Sequence, residues 1–268
     1  MIQIDYQGAR FELQDGQDGP CCFVFGVRKS GSSIFNSIVQ ALAMRHGLPF
    51  ADVGGELFKA GITVARWQPD PALGQVLRPG NVYGGFRNFP LGLTGHPLYQ
   101  RAAKALLVRD PRDALVSEFF SNAFSHSLPE AGEARDKMLA LRREAQAQSI
   151  EAFVLARAPQ LARTLTEYLP YLNDPGWRLF HYEDVILDKR RWMMDLCAHF
   201  GWPFDAQHAE QVLGWADVRP ADEDPTRFVR KVLPGDHRDK LSEATIAALN
   251  RSLAVPMRAL GYVEHAAA

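Results

Sequence analysis

Cysteine is scarce in this chain: there are three in 268 residues, Cys21 and Cys22 adjacent and Cys197 far along. Two neighbours within an apolar run and one distant partner make neither a disulfide framework nor a zinc site. They read as reduced core residues of a cytoplasmic protein. Long apolar runs are missing as well. No stretch approaches the roughly 20 residues that span a bilayer, and the N-terminus carries no basic-then-apolar signal. A soluble protein without a membrane span is expected. Excess charge of one sign is also absent. A net charge of −1 excludes a strongly basic, non-specific binder of nucleic acid, so any basic surface must be local. No metal-ligand spacing occurs, and no metal is expected.

The length suits one large core, so a single domain over residues 1–268 is expected. Two alternating stretches, Ile2–Tyr6 and Arg10–Leu13 with Gly8 between them, predict a small β-hairpin extension over residues 1–20. Further strands are expected at Pro49–Val53, Asn81–Phe86, Leu106–Val108 and Trp177–Tyr182. Residues 61–80 show no sustained period and read as a loop. Helices are expected at Ile150–Leu172 with an interruption near Pro159, at Lys189–Phe200, at Asp205–Trp215 and at Leu241–Leu260. The mixed charges of Ala131–Ala147 suit a solvated helix.

What is present concentrates in residues 21–47. Cys21 to Val27 is apolar without a polar face, the pattern of a strand buried on both sides. From Ser32 onward Ile34, Phe35, Ile38, Val39, Leu42 and Ala43 recur at helical spacing. Between them lie Arg28, Lys29, Ser30, Gly31, Ser32 and Ser33. Small residues let a ligand approach the backbone, and the open N–H groups of a first helical turn face an anion. The loop is read as a phosphate- or sulfate-binding turn. Gly26 and Gly31 have the separation of a Walker A loop, but Ser32 stands where its Lys belongs and Lys29 precedes Gly31.

Two later stretches carry matching chemistry. In Val108-Arg109-Asp110-Pro111-Arg112-Asp113, Arg109 ends a strand, Asp110 caps a helix and Pro111 starts it. Ser117 follows Arg109 by eight positions, a little over two turns, and can share the face of the helix start. Further on, Arg227, Arg230 and Lys231 crowd an irregular segment that ends in Gly235-Asp236-His237.

Lys29-Ser30-Gly31-Ser32-Ser33 resembles the 5′-phosphosulfate loop of sulfotransferases, usually Lys-Ser-Gly-Thr-Thr. Arg109 with Ser117 resembles the family's 3′-phosphate motif. Arg230-Lys231 with Gly235-Asp236 resembles its C-terminal Arg-Lys-Gly…Gly-Asp segment, with Val232 in place of the usual Gly and His237 in place of a common Trp. Tyr182-Glu183-Asp184 resembles a largely architectural Tyr-Glu-Asp in the same family, and His181 reads as packing beside its strand. The three binding motifs stand in the family's order between residues 26 and 237.

The resemblance implies an α/β fold with a central parallel sheet flanked by helices and a P-loop-like strand-loop-helix. It implies 3′-phosphoadenosine-5′-phosphosulfate as donor, with Arg28, Lys29, Ser30, Gly31, Ser32 and Ser33 at its 5′ side. Arg109, Ser117, Arg230 and Lys231 would hold its 3′-phosphate. The acceptor would be a small molecule or a glycan. Lacking a Golgi-type anchor, the chain suits a soluble, bacterial type of member. Lys29 would neutralise charge on the leaving group. The base is less defined, because Asn88 occupies the position of a His used in the cytosolic branch. Glu56, in Gly55-Glu56-Leu57-Phe58, loosely resembles the Glu used by glycan-directed members and is the first choice, with His126 second. Ile34 replaces an aromatic that often stacks on adenine. A P-loop small-molecule kinase and a non-catalytic nucleotide-binding module remain open alternatives.

Overall fold

The computed structural model describes residues 2–15, 18–125, 133–218, 220, 222–227 and 229–263. Residues Met1–Val108 with Tyr171–Val218 form one compact unit, and Arg109–Pro170 with Arg219–Ala268 form another.

The first unit opens with an antiparallel hairpin, β1 (Ile2–Tyr6) and β2 (Ala9–Leu13). Tyr6 donates to Asp70 at 2.7 Å, and buried Asn81 bonds the main chain of Gln14 in both directions. Next come β3 (Cys22–Gly26), β4 (Phe50–Asp52), β5 (Val82–Phe86), β6 (Ala103–Val108) and β7 (Trp177–His181). They form one parallel sheet in the order β4-β5-β3-β6-β7. The α/β expectation, with its central parallel sheet, holds.

Every residue of β3 is buried, because the strand lies between β5 and β6 and packs on both faces. Helix α1 (Ser32–Arg45) buries Phe35, Ile38, Val39, Leu42 and Ala43. It ends where Gly47 turns left-handed at φ 68°. From β3 the chain runs outward to β4, returns through β5, and then crosses to β6 on the other side. Such a reversal of direction opens a crevice at the carboxyl ends of the strands, the usual ligand site of open parallel sheets. That is the end from which residues 27–33 emerge.

The cysteines are free and buried. Burial pushes the Cys22 thiol up to about 12 and the Cys197 thiol up to about 11, so neither is a thiolate at neutral pH. Among the described residues no helix is long and apolar enough to cross a membrane.

Residues 61–80 are not a plain loop. They form a helical turn at Val64–Trp67 and a 3₁₀ segment at Pro71–Val76. Trp67, Leu73 and Val76 are buried, but each turn is too short to establish a period. Helix α2 (Val53–Lys59) follows β4 directly.

The second unit is helical. Helix α3 (Pro111–Phe120) starts as expected, with the Asp110 carboxylate accepting from Arg112 N, and it continues into a π-helical turn at Ser121–Ser125. Helices α4 (Glu133–Gln146) and α5 (Ile150–Thr166) follow. Leu115, Val116, Phe153, Val154, Leu249, Leu253 and Met257 share one apolar core. The expected C-terminal helix is two helices, α6 (Glu243–Ser252) and α7 (Ala254–Ala259). Pro256 lies in the first turn of α7, where its missing N–H costs nothing, and the break at Leu253 puts it there.

The expected interruption at Pro159 does not occur, since α5 runs through it. Pro159 is exposed, and Phe153, Val154, Ala158 and Leu165 bury the opposite side. That burial outweighs one lost hydrogen bond. Pro159→Ala is therefore expected to stabilise the protein by about 1–2 kcal/mol, the helix-interior penalty less the entropy that proline removes from the unfolded chain. A urea-unfolding midpoint equal to or below the wild type's would contradict this.

Candidate active site

The phosphosulfate-like loop is shaped by its backbone. Val27 N bonds Leu107 O at 3.2 Å, which ties the loop's start to β6. Ser30 is buried and gives both N–H (3.0 Å) and Oγ–H (2.6 Å) to Val27 O. Its hydroxyl thus closes the turn, and its side chain does not point outward as a donor. Lys29 adopts φ 65° and Gly31 φ 83°. For a lysine the left-handed region costs on the order of 1 kcal/mol, a strain found mostly where the surroundings impose it.

Gly31 is the N-cap of α1, and its φ of 83° disfavours any residue with a side chain. A Cβ there would lie 3.0 Å from the ring of Tyr182, the first residue of the short helix Tyr182–Leu187. The first intrahelical bond is Phe35 N to Gly31 O at 3.0 Å. The first turn holds no acidic residue and no side-chain cap. The N–H groups of Ser32, Ser33 and Ile34 thus face outward at the positive end of the helix dipole.

On the β5 side, the Asp52 carboxylate caps α2 by accepting from Gly55 N at 3.0 Å. Glu56 lies in the first turn of α2 and pairs with Lys59 at 2.7 Å. Arg87, directly after β5, was not singled out in the sequence reading. It donates to Ser33 Oγ at 3.5 Å. The available signal was its position, a cation at the carboxyl end of a strand beside β3. His126 lies outside the described residues.

In the second unit, Arg109 is 6% exposed and approaches Asp113 at 3.6 Å. Asp110 takes a two-point bond from Arg112, at 3.0 and 2.6 Å, and Arg112 also reaches Asn250. Ser117 is half-buried on α3. Arg230 pairs with both Glu223 and Asp236 and stacks 4.1 Å over the Phe120 ring. Lys231 pairs with Asp236 at 3.0 Å and Asp239 at 2.9 Å, and these contacts, Asp239 first, raise its pKa.

The sequence reading saw these cations and missed their carboxylates. Asp113 is the most embedded. One oxygen accepts from His237 N at 2.9 Å and His237 Nδ1 at 2.6 Å, and the other accepts from Gly235 N at 2.7 Å. Burial by itself would raise the Asp113 pKa. The His237 hydrogen bond, the Arg109 charge and the two backbone N–H groups outweigh burial and hold it well below the ordinary carboxylate range. Its spacing of four from Arg109, one helical turn, was the available clue.

A carboxyl group whose folded pKa is depressed stabilises the fold above its unfolded pKa, near 4 for Asp. That stabilisation is lost as pH falls below about 4 toward the folded value. Asp113→Asn is expected to cost about 1–3 kcal/mol at pH 7, through lost charge-assisted bonds. The gap from wild type should narrow below about pH 4, and urea unfolding at pH 7 and pH 3 reads it. An unchanged gap would show that the Asp113 charge contributes nothing.

Residues 89–261, well over half of the chain, match the sulfotransferase domain family. No curated protein matches the sequence. The fold is similar to mouse sulfotransferase SULT7A1 complexed with PAP, with a TM-score of 0.60 at 13% identity over 96% of this chain and 94% of that one. It is also similar to retinol dehydratase in complex with androsterone and the inactive cofactor PAP, with a TM-score of 0.52 at 15% identity over 89% and 80%. With more than half its length matched, the chain belongs to the sulfotransferase domain family.

Proposed function

We propose that this protein is a cytoplasmic enzyme that transfers a sulfuryl group from 3′-phosphoadenosine-5′-phosphosulfate to a hydroxyl or amine of a small-molecule or glycan acceptor, and that both compact units belong to one catalytic domain. The observation that carries the reading is the turn at Lys29–Gly31, where a strained lysine precedes an uncapped helix start. The reading of an anion site is supported by the left-handed glycine at 31, which keeps the backbone open to a ligand, and by the uncapped N–H groups at the helix start. The occurrence of PAP in complexes of two structural neighbours supports the same donor chemistry.

When bound, the donor supplies an activated sulfur that bonds to the acceptor as its link to the 5′-phosphate oxygen breaks. Lys29 and the Ser32 and Ser33 N–H groups neutralise the charge left on that oxygen. Arg28 adds positive charge to the same loop, and Ser30 and Gly31 set its shape. Arg109, Ser117, Arg230 and Lys231 bind the 3′-phosphate. Their carboxylate partners Glu223 and Asp239, both solvent-accessible, are the ones a phosphate can displace. Buried Asp236 stays. Fixed cations do the neutralising, and no metal is invoked. Glu56 takes the acceptor's proton.

Lys29→Ala should lower turnover by roughly 100- to 1000-fold while donor affinity changes little. Labelled-donor transfer assays paired with calorimetry read both, and near-normal turnover in the variant would sink the assignment. Glu56→Gln should retain the fold and donor affinity and lose on the order of 100- to 10000-fold in turnover. The acidic limb of its pH–rate profile should vanish as well. A wild-type profile in Glu56→Gln would transfer the role of base to another group.

A further inference from the structure

The residues proposed to hold the 3′-phosphate leave a neighbouring cation unassigned. Lys240 closes the short helix Asp236–Lys240 and lies outside the motifs read from the sequence. Its ammonium pairs with Glu223 Oε2 at 3.2 Å, while Glu223 Oε1 pairs with Arg230. One carboxylate therefore bridges two cations, one oxygen to each. Both cations also stand over one ring. The Arg230 guanidinium carbon lies 4.1 Å from the centre of Phe120 and the Lys240 nitrogen 5.8 Å, within the range of cation–π attraction. Phe120 ends α3 three positions after Ser117, and residues three apart are neighbours on a helix surface.

The two carboxylates on Arg230 differ in kind. Asp236 has a side chain only 1% exposed, and its other oxygen is held by Lys231 at 3.0 Å. Glu223 has a side chain 29% exposed and precedes a turn that closes on itself, where the Asp224 carboxylate accepts from Thr226 N at 2.9 Å and Thr226 Oγ1 at 2.6 Å. A carboxylate that divides its oxygens between two cations presents the pattern of one edge of a phosphate, with two acceptors and no donor. A phosphate adds a third oxygen and more negative charge. The Arg230–Lys240 pair is thus better matched by a phosphate than by the carboxylate it holds.

We propose that Lys240 is a further binding residue of the 3′-phosphate position, and that Glu223 is its built-in competitor, leaving the Arg230–Lys240 pair as the phosphate enters. This rests on the proposed function and adds to it one residue and one rule of selection. A ligand held by the pair must replace a carboxylate, so a phosphate dianion gains most. A nucleotide without a 3′-phosphate leaves Glu223 in place and gains nothing from Lys240.

Calorimetry on wild type, Lys240→Met, Lys240→Arg, Glu223→Gln and the Glu223→Gln/Lys240→Met double variant compares adenosine 3′,5′-bisphosphate with adenosine 5′-phosphate. Lys240→Met should weaken the bisphosphate roughly 3- to 10-fold and spare the monophosphate, and Lys240→Arg should stay near wild type. Equal losses for both nucleotides in Lys240→Met would overturn the assignment, since the effect is then not on the 3′-phosphate. Glu223→Gln should tighten the bisphosphate by a similar factor, because the cation pair no longer has to be freed. Unchanged or weaker binding there overturns the competitor. The double variant separates contact from support. If Lys240→Met still costs affinity in the Glu223→Gln background, the ammonium meets the phosphate itself. If it costs nothing there, Lys240 acts only through Glu223 and is not a binding residue. A wild type that prefers the bisphosphate, with all variants behaving alike, overturns this inference and leaves the proposed function standing. A wild type without that preference overturns the 3′-phosphate reading as well.

Discussion

The turn between β3 and α1 depends on one constraint: Gly31 takes a left-handed φ of 83° with the Tyr182 ring 3.0 Å from where a Cβ would stand. With its left-handed φ, the same glycine lets the chain leave a buried strand and enter a helix within a few residues. Ser30 closes the turn onto Val27 O, and Lys29 is carried into a left-handed conformation it would not choose alone. The packing of the surrounding core makes this possible, because β3 is buried on both faces and cannot relax toward the loop. Tyr182 gains a role here that its place after β7 did not suggest. Its ring is the wall against which the turn is set.

The second unit meets its charges differently. Arg109, Arg230 and Lys231 are not bare cations. Asp113, Asp236, Glu223 and Asp239 already face them. A buried cation without a counter-ion would be costly, so the carboxylates keep these side chains charged and ordered. Two kinds of partner follow. Asp113 and Asp236 are almost fully buried and act as fixed anchors, with Asp113 also holding the Gly235–His237 turn. Glu223 and Asp239 are accessible. Under the proposed function, binding of the 3′-phosphate is an exchange of anions, with a smaller net gain than a count of its contacts would suggest.

Much of the fold was legible because the relevant signals are local. The hairpin alternates, β3 is an unbroken apolar run, Asp110-Pro111 announces a helix start, and Lys189–Phe200 is helical within the expected bounds. The failures have physical causes. Pro159 breaks a rule of helix interiors but lies on the exposed side of a helix whose other side is well packed. Residues 61–80 bury their apolar groups through single turns, which leave no periodicity. In the candidate site, the cations stood in recognisable motifs. Their partners did not, because Asp113 meets Gly235 and His237 across more than a hundred residues of sequence. Arg87 escaped for a related reason. Its hydrogen bond goes to Ser33 on α1, and no pattern around Phe86-Arg87-Asn88 reports that contact.

The β5 flank is held by backbone rather than by side chains. A Cβ on Gly54 would collide with the carbonyl oxygen of Gly85, and a Cβ on Gly85 would collide with the Asp52 carboxylate. Gly85 also requires a positive φ, 80°. The start of α2 is thereby pressed against the end of β5 with no intervening side chain whose rotamers could loosen it. Glycine inside a strand ordinarily weakens it, and here the loss is offset by close approach. Glu56 and Arg87 project from these two elements, one turn into α2 and one residue beyond β5. Both therefore start from a backbone that side-chain rotamers cannot loosen, and the Glu56 carboxylate is further held by Lys59 at 2.7 Å. Under the proposed function, this fixes where the base stands while leaving its exposed ion pair as the contact that an acceptor must compete with.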